Sequence, residues 1–200
     1  MSSVVLSGDT SGTVTLTVPA VAGTNTVTVP AGTGTMAVQG VSTNIVSGTA
    51  VASTSGTSIS FTGIPSWAKR VSVLLSGVSL SASAQLLIQV GSGSTTTSGY
   101  VGYYFLQQNN GTPAVTSATD GFRVPTNNAA STVHGKLSID LITNTTYVAS
   151  GTFVGLTGSS VATFLGTGGT IALGGALDRV VITSTSTDTF DAGSINILYE

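Results

Sequence analysis

An all-β fold, an antiparallel β-sandwich or jelly roll with an N-terminal β-hairpin arm, is predicted by three features of the sequence. The residues that build helix surfaces are nearly missing, turn residues recur at short intervals, and the apolar residues between them alternate with polar ones. Charged residues make up 6% of the 200, and the long charged ones are scarcest: Lys69, Lys136 and Glu200 are the only lysines and glutamate. An amphipathic helix needs a solvated face of long polar side chains, and this chain has none to supply. Thr, Val, Ser and 26 glycines instead describe short strands joined by tight turns.

Residues 1–43 form one compositional block, read as the arm. Val14, Leu16 and Val18 alternate with Thr13, Thr15 and Thr17 before Pro19 stops the run. The pattern returns as Val27 and Val29 against Thr26 and Thr28, stopped by Pro30, so the block is a degenerate two-copy repeat. Each copy reads as a half-buried strand. Two or three short strands with one valine-rich face bury too little to stand alone. That face must pack on the rest of the chain or on a neighbouring subunit, and a near-neutral Thr/Val surface, poorly protected against association, favours the neighbour.

Residues 44–200 read as the sandwich. Candidate strands are Asn44–Ser53, Ser58–Thr62, Arg70–Ser79, Ala84–Val90, Tyr100–Gln107, His134–Thr143, Thr146–Gly155, Val161–Leu165, Thr170–Leu173, Arg179–Ser184 and Ser194–Tyr199. Leu86, Ile88 and Val90 alternate with Gln85 and Gln89, and Leu137, Ile139 and Leu141 with Lys136, Ser138 and Asp140. Gly91-Ser92-Gly93, Asn109-Asn110-Gly111, Asn144-Thr145 and Gly174-Gly175 supply the turns. Many short strands with one apolar face make a sandwich. Gly91–Gly99 and Gln108–Ala130 lack the pattern and read as long exposed loops, the segments that most often carry function.

Composition also bears on function. The net charge is −2 and the five cations are scattered apart from Lys69-Arg70, so no nucleic-acid partner is expected. Hydropathy is positive on average, which is incompatible with a disordered linker. Without cysteine there is no disulfide framework, thiolate metal site or cysteine nucleophile. No apolar run reaches membrane-spanning length, and the first residues lack a signal-peptide pattern, so folding in a cytoplasm is expected, without membrane insertion.

Catalytic patterns are absent or incomplete. His134 is the only histidine, no Gly-x-Ser-x-Gly elbow occurs, and Asp140 lies six residues further along the same apparent strand. Six residues of strand span about 20 Å, too far for their hydrogen bond. Ser66-Trp67-Ala68-Lys69 matches Ser-x-x-Lys, yet that motif needs a helix and companion motifs this chain lacks; a turn whose indole caps one end of the sandwich fits better. Gly166-Thr167-Gly168-Gly169 precedes a strand, whereas a phosphate cradle precedes a helix. Asp188 and Asp191 are the one local acidic pair able to hold Ca2+, although an Asx-stabilised turn is the commoner reason for such a pair. No enzyme activity and no cofactor are expected.

Tyr100, Tyr103 and Tyr104 follow the Ser/Thr/Gly loop, with Gln107 and Asn109 close behind. Aromatic faces beside neutral amides are the chemistry of a saccharide-binding surface; the alternative is tyrosines half-buried in the sandwich with their hydroxyls at its rim.

The segment Ser11-Gly12-Thr13-Val14-Thr15-Leu16-Thr17-Val18-Pro19-Ala20-Val21-Ala22-Gly23-Thr24-Asn25-Thr26, followed by Val29-Pro30-Ala31-Gly32-Thr33-Gly34-Thr35, resembles a stretch common in tail fibre and other virion structural proteins of tailed bacteriophages. The closing Asp188-Thr189-Phe190-Asp191-Ala192-Gly193-Ser194-Ile195-Asn196-Ile197-Leu198-Tyr199-Glu200 is similar to their terminal strand. The two cover roughly a fifth of the chain. The resemblance implies a β-rich, often trimeric virion protein at the tail or capsid surface, assembled in the host cytoplasm. Its partners would be copies of itself and other virion proteins, and a role in host attachment would add a cell-surface polysaccharide. The family has no shared catalytic motif to carry over, and this chain lacks a fibre's heptads or long shaft repeat.

Overall fold

The computed structural model describes residues 3–7, 13–17, 45–108, 111–126, 128–157 and 161–200. The chain divides into two compact units, Met1–Val41 and Ser42–Glu200.

In the first unit, β1 (Ser3–Ser7) and β2 (Thr13–Thr17) pair antiparallel. The register sets Val4 opposite Leu16, Val5 opposite Thr15 and Leu6 opposite Val14. Val14 and Leu16 of the expected arm therefore lie in β2, while Val18, Val27 and Val29 fall outside the described residues.

The second unit contributes β3 (Val46–Ser47), β4 (Val51–Ala52), β5 (Ser58–Thr62), β6 (Arg70–Leu80), β7 (Leu86–Ser92), β8 (Ser94–Thr95) and β9 (Val101–Gln108). Then follow β10 (Ala114–Ala118), β11 (Phe122–Val124), β12 (Thr132–Thr143), β13 (Thr146–Thr157), β14 (Val161–Ala172), β15 (Arg179–Ser184) and β16 (Phe190–Tyr199). They form a sandwich in which every strand pair is antiparallel. One sheet runs β10-β9-β14-β13-β12-β6-β16-β3, with β4 also on β16; the other runs β11-β7-β15-β5, with β8 on β7.

Period-two alternation builds the core. On the large sheet, Ile197, Val73 and Leu137 stand in one cross-strand row and are all buried. On the small sheet, Phe122, Ile88, Ile182 and Ile59 form a row, and Val90, Val180 and Phe61 another. These rows belong to one buried cluster, as sheet-on-sheet packing requires.

The two segments expected to be long loops contain β8, β10 and β11. β10 is a mostly exposed edge strand and β11 has three residues, so neither shows an alternation long enough to read. Phe122 is fully buried and meets Tyr100 edge-on, ring centroids 5.2 Å apart. Val161–Leu165 and Thr170–Leu173, read as two strands around a glycine turn, are one strand, β14. Its glycines serve close approach: a Cβ on Gly166 would be driven into the Phe105 ring, and one on Gly169 into the Val101 carbonyl. The stretch expected as one strand from Asn44 to Ser53 holds two short strands, β3 and β4, separated by Gly48–Ala50 and both paired with β16.

In β11, Arg123 makes a two-point contact with Asp120, at 2.7 and 3.0 Å. That hydrogen bond is the main reason the Asp120 carboxyl sits below its usual range. A carboxylate whose folded pKa is depressed contributes stability above the ordinary aspartate range and loses it as pH falls through the folded value. Urea-unfolding midpoints should therefore drop on acidification below about pH 4, and Asp120→Asn should reduce that dependence. Phe122→Ala should cost about 3–5 kcal/mol in the same assay, since nothing can collapse into a site walled by two sheets.

Candidate functional site

The large sheet has a second face, turned away from the core. Its side chains are set by strand register. Lys136, Thr152, Gly166, Phe105 and Val115 form one row across β12, β13, β14, β9 and β10. The next row is Ser138, Ser150, Gly168, Tyr103 and Ser117. On the other side of the first row stand His134, Val154, Phe164 and Gln107. Because the middle of the first two rows carries glycine, serine and threonine, the face sinks between β12 and β9. The depression is a trough of about 620 Å3, bounded by Tyr103, Phe105 and Val115 on one side and Lys136 on the other. A second hollow of about 480 Å3 lies between Gln107, Gln108, Val154 and Phe164. The Phe105 and Phe164 rings meet between them, centroids 6.0 Å apart and tilted by 44°.

Of the three tyrosines expected to form a saccharide surface, one stands on the exposed face. Tyr103 is 57% exposed at the trough wall, whereas Tyr104 is 9% and Tyr100 2% exposed. Tyr100 is a core residue: its hydroxyl accepts a hydrogen bond from the Val90 amide and donates one to the Thr96 carbonyl, both at 2.9 Å. Burial pushes its phenol up to about 12. Alternation explains the split, since Tyr104 is one residue out of phase with Tyr103 and Phe105 and shares the inward face of β9 with Gly102. Gln107 is half-buried, and its amide nitrogen donates to the Gln108 and Gly111 carbonyls at 2.8 Å, which commits those donors to the local turn. Asn109 lies outside the described residues. Phe105, Lys136 and the glycine and hydroxyl floor were not expected as site residues, because only register brings β9 and β12 to one trough.

The other candidate groups are engaged elsewhere. His134 Nδ1 accepts from the Gly77 amide at 3.1 Å. Asp140, on the same strand, takes a hydrogen bond from Ser138 Oγ and an ion pair with Arg70, which also reaches Glu200 at 2.7 Å. Ser66 and Trp67 sit in a turn closed by the Ala68 amide on the Pro65 carbonyl, and the indole packs on Tyr199 with ring centroids 5.7 Å apart. Asp188 spends one carboxylate oxygen on the Ala84 amide and the other on Ser186 Oγ, the turn-capping arrangement. Asp191 is exposed at the start of β16, and among the described residues no cluster of three acidic or imidazole groups forms.

Comparison with protein-family models, with characterised proteins and with solved structures finds no match for this chain.

Removing the Tyr100 hydroxyl strands the buried Val90 amide. Tyr100→Phe should lower unfolding free energy by about 1–3 kcal/mol, measured by urea titration, with the trough unaltered.

Proposed function

We propose that this chain is a non-enzymatic structural building block of a tailed-phage virion, assembling with copies of itself, as a homotrimer, and with other virion proteins at the tail or capsid surface. The observation that carries this reading is the first unit. Among its described residues, β1 and β2 form a two-stranded sheet, joined by five residue pairs. A two-stranded sheet in water is marginal, and a third strand or a packed apolar face is what stabilises it. In an assembly, sister chains supply that surface. The Thr13–Thr17 strand is also part of the segment that resembles phage virion proteins. The low charge of the whole chain leaves strand edges with little to repel a neighbour.

The hydrogen bonds made by the other polar groups support the same reading. His134, Asp140 and Asp188 each hold the fold together through partners of their own, so their chemistry is committed to structure.

Sedimentation velocity on the purified full chain at micromolar concentration tests the proposal. A trimer is expected, and the double variant Val14→Asp, Leu16→Asp should shift it to monomer while the near-ultraviolet circular dichroism of the sandwich aromatics is retained. A wild-type chain that sediments as a monomer would sink the assembly role.

A further inference from the structure

We propose that the trough on the outer face of the large sheet binds an acidic polysaccharide, with Tyr103 and the Phe105–Phe164 pair packing against sugar rings and Lys136 pairing with a sugar carboxylate. The inference does not require the chain to be a trimer, only that assembly leaves this face uncovered.

Shape is the first argument. The trough of about 620 Å3 lies within the roughly 300–1,000 Å3 of small-ligand sites. The neighbouring hollow of about 480 Å3 shares the aromatic pair at its edge, so the two suit successive units of a linear polymer better than one compact ligand. The floor is built from side chains too small to rise into the path of a ring: Gly166, Gly168, Ser150 and Thr152. Gly166 has a further role, because only the absence of a Cβ lets the Phe105 ring lie across β14.

Chemistry is the second. A sugar ring presents an apolar face of C–H groups and an edge of hydroxyls. Tyr103, 57% exposed, and Phe164, 46% exposed, offer flat apolar surfaces to the one. Ser150, Thr152 and the Lys136 ammonium, spaced across the trough, answer the other.

Charge decides the class of sugar. Arg70, Arg123 and Arg179 are each held by a carboxylate. Lys136 is the one charged residue lining the trough, and among the described residues it forms no ion pair. Lys136 is exposed, and a ligand lying over it is favoured where it brings a negative charge to pair with the ammonium. A second copy of the sandwich is poorly equipped to do so. Asp120, Asp140, Asp178 and Glu200 are already paired with arginines, and Asp188 caps a turn, leaving Asp191 as the remaining acid of residues 44–200.

The test is affinity electrophoresis of the full chain through gels containing polygalacturonate, alginate or hyaluronate. Each is compared with its carboxyl-reduced form, and dextran sulfate serves as a charge-only polymer. At least one acidic polysaccharide should retard the wild-type protein, with affinity about tenfold lower after carboxyl reduction, the loss of one charge-assisted contact. Lys136→Gln should abolish the difference between acidic and reduced forms, and Tyr103→Ala should weaken binding to both. Trp67→Ala, at the separate Tyr199 contact, should change nothing. The proposal is overturned by no retardation in any of the three polymers, by retardation in dextran sulfate alone, or by binding that Lys136→Gln and Tyr103→Ala leave intact. It is equally overturned if Tyr103→Ala changes the sedimenting species without affecting retardation, because a second copy would then cover the face.

Discussion

Burial of the two facing apolar rows is the constraint on which the rest of this structure depends. With 6% charged residues and no cysteine, the chain has few ion pairs and no cross-links to draw on. What remains is alternation: Leu137, Ile139 and Val73 from one sheet, Ile88, Val90 and Ile182 from the other, all removed from water. A slip of one residue anywhere would turn such a row outward, so register is strongly specified. Among the described residues the ion pairs are few, exposed or half-exposed, and contribute little by comparison.

Where alternation is strong the sequence is legible, and where it fails the structure had to be seen. Ser58–Thr62 and Arg179–Ser184 have the bounds their patterns predict, and Asn144, with φ of 50°, makes the turn between β12 and β13 that its residue type announces. β14 was not legible as one strand, because Gly166, Gly168 and Gly169 look like a turn in sequence and are close contacts in space. β10 and β11 were hidden for the opposite reasons, one being an exposed edge and the other very short. The trough shows the same limit. The run from Tyr100 to Phe105 has aromatics in both phases of the alternation, so the sequence alone could not say whether Tyr103 or Tyr104 faces out. Nor could it place Lys136, thirty-odd residues away, opposite them.

Glycine does two jobs in this sandwich. In β14 it makes room for a ring and for neighbouring backbone. At the irregular stretch between β6 and β16 it supplies the positive φ of a bulge: Gly77 has φ of 64° and Gly193 of 95°, and a Cβ on Gly193 would collide with the Gly77 backbone. His134 completes that bulge by accepting the Gly77 amide, which gives the chain's single imidazole a structural partner.

The outer face is consequently a product of register and not of loops. Lys136 and Phe105 reach the same trough because Lys136 pairs with Thr152, Thr152 with Gly166, and Gly166 with Phe105. Each link is also a pairing that holds an inward residue in the core one position away: Leu137 on β12, Phe153 on β13, Leu165 on β14. The hydrophobic burial that fixes the inner rows therefore fixes the outer ones at no separate cost. A trough made this way has little freedom to adapt, because moving Lys136 relative to Tyr103 would shear rows of buried side chains between the sheets. The character of such a surface resides in the few side chains that line it, and loop changes at the sandwich ends would leave it largely untouched.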